Sequence, residues 1–275
     1  MLKDIVVNLP LGASRDVALD YSVSVAAAFD AHLTGIAFSY EPLMPMTVDM
    51  SGIPADLLER QRIENQRAAA AAVTRFKDAT QRLSAEARVV NVPVGSVANL
   101  FASLARRFDL SVIAQPEPEK PTLDRLIIES ALFDSGRPVL IVPYIQRAGL
   151  KLDHVLVGWD GSRTAARAIG DAMPLLLRAK AVEIVMVAGE AAKSDEIPGA
   201  DIAHHLARHG VKPELHRLVS TEIDVASTIL SHAADASADF LVMGGYGHSR
   251  LREFVLGGAT RGILGAMTIP TLMSH

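Results

Sequence analysis

Cysteine is missing from all 275 residues, which excludes disulfides, thiolate metal sites and a cysteine nucleophile, and fits a reducing compartment. A dominant charge is missing too. Lys and Arg number 27 against 31 Asp and Glu, a net charge of −4, so no overall basic field attracts nucleic acid or an anionic membrane, and neither is expected as a partner. No apolar stretch approaches the ~18 residues that a membrane span requires. The start, Met1-Leu2-Lys3-Asp4, leads into only three strongly apolar residues before Asn8, too short and too early charged for a signal peptide, so a cytoplasmic location is expected. Familiar motifs are missing as well. There is no Gly-Lys-Ser/Thr of a phosphate-binding P-loop, no Gly-x-Ser-x-Gly elbow around Ser162, and no His-Glu-x-x-His.

What is present is repetition. Ile5-Val6-Val7 and Val155-Leu156-Val157 each open a matching series of segments. Each run leads through a turn into an alanine-rich helix, expected over Arg15 to Phe29 and Arg163 to Arg178. Second strands are expected at Leu33 to Phe38 and Val182 to Val187, and third strands at Arg88-Val89-Val90 and Glu214 to Val219. Helices at Val97 to Phe108 and Glu222 to Ala236 follow, then strands at Leu110 to Ala114 and Phe240 to Met243. Both series close on proline-led strands, Pro138 to Val142 and Pro270 to Met273. Strand and helix alternating twice over predict an α/β fold of two tandem doubly wound parallel-sheet domains, 1–147 and 148–275, joined near Tyr144 to Lys151 and packed as an intramolecular pseudo-dimer. The first copy carries an insertion from Glu41 to about Pro54, with Met44, Met46 and Met50, read as a loop folded over the surface before a long helix reaching Leu83.

Chemistry concentrates in the second copy. Its fourth strand runs into Gly244-Gly245-Tyr246-Gly247-His248, and nine residues separate Gly247 from Gly257-Gly258-Ala259-Thr260. Glycines at a strand's carboxyl end let backbone N–H groups approach an anion, and a helix starting near Gly257 aims its positive end there. Phosphate is the expected ligand. Arg250 stands where a dinucleotide fingerprint needs its third glycine, so that motif is excluded. At the end of the copy's first strand, Gly158-Trp159-Asp160-Gly161-Ser162 sets a carboxylate on the same sheet edge, where it can accept from a ribose hydroxyl.

The strand-Asp-Gly-Ser opening, the Gly-x2-Gly-x9-Gly loop and the proline-led last strand together resemble the universal stress protein family, in tandem over nearly the whole chain. The resemblance implies an adenine nucleotide α-hydrolase-like fold, pairing through last strands, and a site for ATP or AMP, with or without Mg2+. By position, Asp160 would meet the adenosine, Val187 would border the base, and Gly244, Gly247 and Gly257 would line the phosphates. Gly158, Trp159, Met243, His248, Gly258 and Ala259 complete the expected nucleotide set. One departure stands out. ATP-binding relatives have Ser or Thr where this chain has Gly258, removing one hydroxyl donor worth ~1 kcal/mol. His248, Arg250, Arg252, Arg261 and Thr260 are further polar groups nearby.

In the first copy Pro10 takes the place of Asp160, and Gln115-Pro116-Glu117-Pro118-Glu119-Lys120-Pro121 replaces the glycines. Prolines lack N–H donors and the glutamates repel phosphate, so no nucleotide is expected there and the segment is read as closing that sheet end. His204, His205 and His209 read as a solvent-facing helix end without a third ligand, and no metal site or catalytic group is expected. The expected role is a stress-response protein that binds ATP or AMP as a regulatory ligand and changes its choice of an unidentified protein partner, with homodimers of tandem chains a further option. The alternatives are a nucleotide-free scaffold and a slow ATPase.

Overall fold

Ile5, Val6 and Val7 are each fully buried, which three consecutive strand residues achieve only when helices cover both faces of their sheet. That arrangement extends along the chain. The computed structural model describes residues 1–12, 15–41, 55–117, 123–188, 199–219, 224–246 and 258–275. The first half contains β1 (Asp4–Leu9), α1 (Val17–Phe29), β2 (His32–Glu41), α2 (Ala55–Ala79), β3 (Ala85–Pro93), α3 (Val97–Ala105), β4 (Leu110–Ala114), α4 (Leu123–Asp134) and β5 (Val139–Val142). The second half repeats the order with β6 (His154–Gly158), α5 (Arg163–Leu176), β7 (Ala181–Ala188), α6 (Ala200–Arg208), β8 (Pro213–Val219), α7 (Val225–Asp235), β9 (Phe240–Gly244), α8 (Gly258–Ala266) and β10 (Thr271–Ser274). The two α/β units expected in tandem are there. The insertion with Met44, Met46 and Met50 lies outside the described residues.

All ten strands join one sheet in the order β3-β2-β1-β4-β5-β10-β9-β6-β7-β8. Neighbours run parallel except at the centre, where β10 lies antiparallel to β5 with Leu272 opposite Leu140. A two-fold relation between the halves follows, and one core layer runs along each face of the whole sheet. One layer packs α1, α2, α5 and α6 through residues such as Tyr21, Phe76, Ile169 and Leu206. The other packs α3, α4, α7 and α8 through Phe101, Ile128, Ile229 and Ile263.

Polar contacts reinforce the join. Gln115 at the end of β4 donates through Nε2 to the carbonyl of Leu264 on α8 at 2.9 Å, and Phe133 of α4 lies 4.7 Å from the Tyr246 ring. In the connection after β5, a Cβ on Gly149 would lie 2.8 Å from that of Ser24, so glycine alone lets the chain press on α1. Leu150 N then donates to Ser24 Oγ at 2.7 Å.

Within each half the strand order reverses between β1 and β4, and between β6 and β9. Crossovers leave these strand pairs in opposite directions, which opens a crevice beyond their carboxyl ends where ligands of such sheets bind. Because Leu272 is 1% exposed against both halves' core, Leu272→Ala is expected to cost about 2–5 kcal/mol. Urea unfolding followed by circular dichroism should show one transition moved to lower denaturant; two separate transitions would contradict a shared core.

Candidate functional site

β6 is buried through Val155, Leu156 and Val157, and the chain must turn as it leaves the sheet. Trp159 N donates to Val185 O at 2.9 Å, holding the first turn residue against β7. Asp160 Oδ1 then accepts from Ser162 N at 2.9 Å, Gly161 takes a left-handed φ of 74°, and Ser162 Oγ caps α5 by accepting from Ala165 N at 3.1 Å. These bonds fix the exposed Asp160 carboxylate at the strand's carboxyl end. Ser162 is therefore a helix cap.

β9 ends opposite. A Cβ on Gly244 would lie 2.6 Å from both Ala165 N and Thr164 Oγ1, so glycine is required there by the approach of α5 alone, whatever binds nearby. The first turn of α8 is tied to the same strand end, because Thr260 Oγ1 accepts from Tyr246 N at 3.0 Å. Thr260 is thus anchored where the sequence left its hydroxyl open to a ligand. Around Gly258 a Cβ would meet nothing within 4 Å.

Between these elements is a cavity of about 330 Å³. It is lined by Gly158, Trp159 and Asp160 at the end of β6, by Val185, Val187, Met243 and Gly244 of β7 and β9, and by the first turn of α8, Gly258 to Thr260. Val225 and Ile229 of α7 cover it. Eight of the eleven residues expected at the nucleotide site line this one cavity; Gly247, His248 and Gly257 lie outside the described residues. Val185, Val225 and Ile229 were missed by sequence reasoning. Strand alternation with Val187 pointed to the first, and the four-residue spacing of Val225 and Ile229 to the other two.

The first half fills the corresponding space differently. Pro10 follows β1, and its carbonyl accepts from Arg75 Nη2 at 3.5 Å. Asn8 Nδ2 donates at 3.3 Å to Asp124 Oδ1 in the first turn of α4, the helix that corresponds to α8. A carboxylate of the protein itself therefore sits at that helix N-terminus. Burial raises Asp124 from the usual 3.8 to about 6. Burial also raises Asp16, the N-cap of α1, to about 6, although it accepts from Leu19 N at 2.9 Å and faces Arg75. Of the segment expected to close this sheet end, Gln115 reaches across to the second half, and residues 118–122 lie outside the described ones.

His204, His205 and His209 are all exposed, the latter two with rings tilted at 55° and centroids 4.7 Å apart. No helix among the described residues is long and apolar enough to cross a membrane.

Two parallel α/β units in tandem, with a crevice at a strand-order reversal, define the class of protein. Residues 151–275 match the model of the universal stress protein family. The chain is also 25% identical over 237 residues to the universal stress protein Slr1230 of Synechocystis sp. (strain ATCC 27184 / PCC 6803 / Kazusa), a match that covers 84% of this chain and 78% of that protein. Its fold resembles that of a universal stress protein from Archaeoglobus fulgidus DSM 4304, with a TM-score of 0.68 at 16% identity over 98% of this chain and 95% of that one. A functionally unknown protein of Pseudomonas aeruginosa PAO1 gives a TM-score of 0.59 at 14% identity, over 99% and 92% of the two chains. The second unit, residues 151–275, is thus of universal stress protein type, and the chain as a whole has the tandem fold of such proteins.

The raised carboxyls of the first half make stability depend on pH. Between about pH 4 and 6 the folded chain keeps a proton on Asp124 that the unfolded chain, with its pKa near 3.8, has lost, so this group lowers stability as pH rises through that window and adds no further change above it. Thermal melts of Asp124→Asn and the parent should coincide near pH 4 and diverge up to pH 6, the variant becoming more stable by about 2–3 kcal/mol. A constant gap would refute the assignment.

Proposed function

We propose that the cleft of the second half binds an adenine nucleotide, ATP or AMP, as a regulatory ligand, and that occupancy changes which protein partner the chain engages. One observation carries this reading: a single cavity is lined by the Trp159-Asp160 turn, by the N-terminal turn of α8 and by apolar Val185, Val187 and Met243. The cavity's volume, about 330 Å³, is within the usual range for small-ligand sites. Val185, Val187 and Met243 offer an apolar surface to a base, and Asp160 an acceptor for a ribose hydroxyl. The backbone N–H groups and positive end of α8 favour phosphate on the far side. Mg2+ would arrive with the nucleotide rather than in a site of the protein's own. Among the described residues Asp160 is the one carboxylate lining the cavity, which supports binding rather than hydrolysis.

Gly258 decides how strongly phosphate is held. Its missing hydroxyl removes one donor, and the open space around it leaves room to restore that donor. Gly258→Ser is expected to tighten ATP binding by roughly fivefold, the equivalent of ~1 kcal/mol. Asp160→Ala and Gly247→Val should weaken it. Calorimetric titration of the four proteins, with mass spectrometry of any ligand released from gently purified chain, tests the reading. If no nucleotide is released and no heat appears up to millimolar ATP, even in Gly258→Ser, the chain is a nucleotide-free scaffold. Phosphate release that disappears in Asp160→Ala would make it a slow ATPase.

A further inference from the structure

Glu183 is the one charged residue in β7, whose sequence is otherwise apolar, and its side chain is only 6% exposed. A carboxylate buried in that way needs a positive charge beside it. What surrounds it is imidazole. His232 Nε2 on α7 lies 2.5 Å from Glu183 Oε1, His216 Nδ1 on β8 lies 3.7 Å from the same oxygen, and His154 Nε2 on β6 lies 3.0 Å from Oε2.

Strand register produces this convergence. His154 is opposite Ala181 and His216 opposite Val185, two residues to either side of Glu183, so all three side chains share the sheet face that α7 covers. On α7, His232 continues the face of Val225 and Ile229 by one more turn. One donor atom each from Glu183, His216 and His232 lies within 4.8 Å of the others, the one such group among the described residues. Ligand atoms held by zinc at bonds of ~2.0–2.2 Å stand ~3.3–3.5 Å apart, within reach of small side-chain rotations from these positions.

The hydrogen bonding of His154 points the same way. Its Nδ1 faces the carbonyl of Ala236 at 3.0 Å, and a carbonyl only accepts, so that nitrogen carries the proton. With Nδ1 engaged, Nε2 is the nitrogen that His154 turns toward Glu183. A backbone carbonyl behind the second ring nitrogen is also the usual support for a metal-bound histidine.

We propose that Glu183, His216 and His232, adjoined by His154, bind one divalent transition-metal cation of the zinc type. One carboxylate with two or three imidazoles, and no thiolate, selects Zn2+ or its first-row neighbours over Mg2+ and Ca2+, which require mostly oxygen. Half-exposed His216 gives the ion an entry from solvent. The bound cation balances Glu183 and fastens α7 to β7 and β8.

The site is tested on the full chain, dialysed against EDTA and titrated with Zn2+ by calorimetry and with Co2+ by visible absorption. One equivalent of each metal should bind, Co2+ should show ligand-field bands of nitrogen and oxygen donors, and Zn2+ should raise the thermal midpoint reversibly to chelator. Glu183→Gln and His216→Gln should each abolish the bands and the thermal shift, and His154→Gln should weaken binding by roughly tenfold to a hundredfold. Because His216 is at the surface, its variant reads metal loss without disturbing the core. A double variant, His205→Ala with His209→Ala, removes the exposed pair at the end of α6 and should bind as the parent does. The proposal is overturned if the parent binds neither metal at micromolar concentrations, if His216→Gln keeps the Co2+ bands, or if only the α6 double variant loses them.

Discussion

One antiparallel strand pair organises the molecule. Every other neighbour in the ten-stranded sheet is parallel, and β5 against β10 is the strand pair that joins two five-stranded units into one sheet. Val139, Leu140, Ile141 and Leu272 are at most 1% exposed, so separating the halves would bare a hydrophobic edge as well as unpaired backbone. Because the pair is antiparallel, the carboxyl ends of the two parallel sets point to opposite ends of the sheet, and each half carries its crevice away from the other. The arrangement that the family resemblance implied between last strands is here closed within a single chain.

The same symmetry makes the difference between the halves readable. α4 and α8 occupy matching places, and each offers an N-terminal turn to its crevice. In the second half that turn begins with a glycine and lines a cavity. In the first it holds Asp124, bonded by Asn8, and a carboxylate already at a helix N-terminus opposes a second anion in the same place. Asp16, buried at the start of α1, adds to that opposition. The first half supplies β5 to the central strand pair and a share of both core layers.

Much of this was legible in the sequence because it rests on local signals. Strands buried on both faces are continuous apolar runs, and β4 falls on the expected residues Leu110 to Ala114. Helix α1 begins at Val17 rather than Arg15, since Asp16 caps it. The strand-end turn at Asp160 was legible for the same reason, as were the glycines. Why each glycine is there was not. Gly244 is a glycine because α5 presses on it, a contact between elements separated by most of the domain. Likewise the sequence left Thr260 open to a ligand, yet its hydroxyl oxygen is tied to the backbone of Tyr246. The Glu183 cluster drew its members from β6, β7, β8 and α7, with no motif spacing between them, so only strand register could bring them together.

Register also explains why that cluster and the cleft are neighbours. Glu183, Val185 and Val187 alternate along one face of β7, and Val225, Ile229 and His232 follow one face of α7 above it. At the carboxyl end of this shared seam the side chains are apolar and stand apart as a cavity; at the amino end they are polar and meet. A helix laid over a strand has few ways to shift without moving both ends. The His232–Glu183 contact and the cavity lining of Ile229 and Val225 are therefore successive turns of one helix laid on one face of one strand.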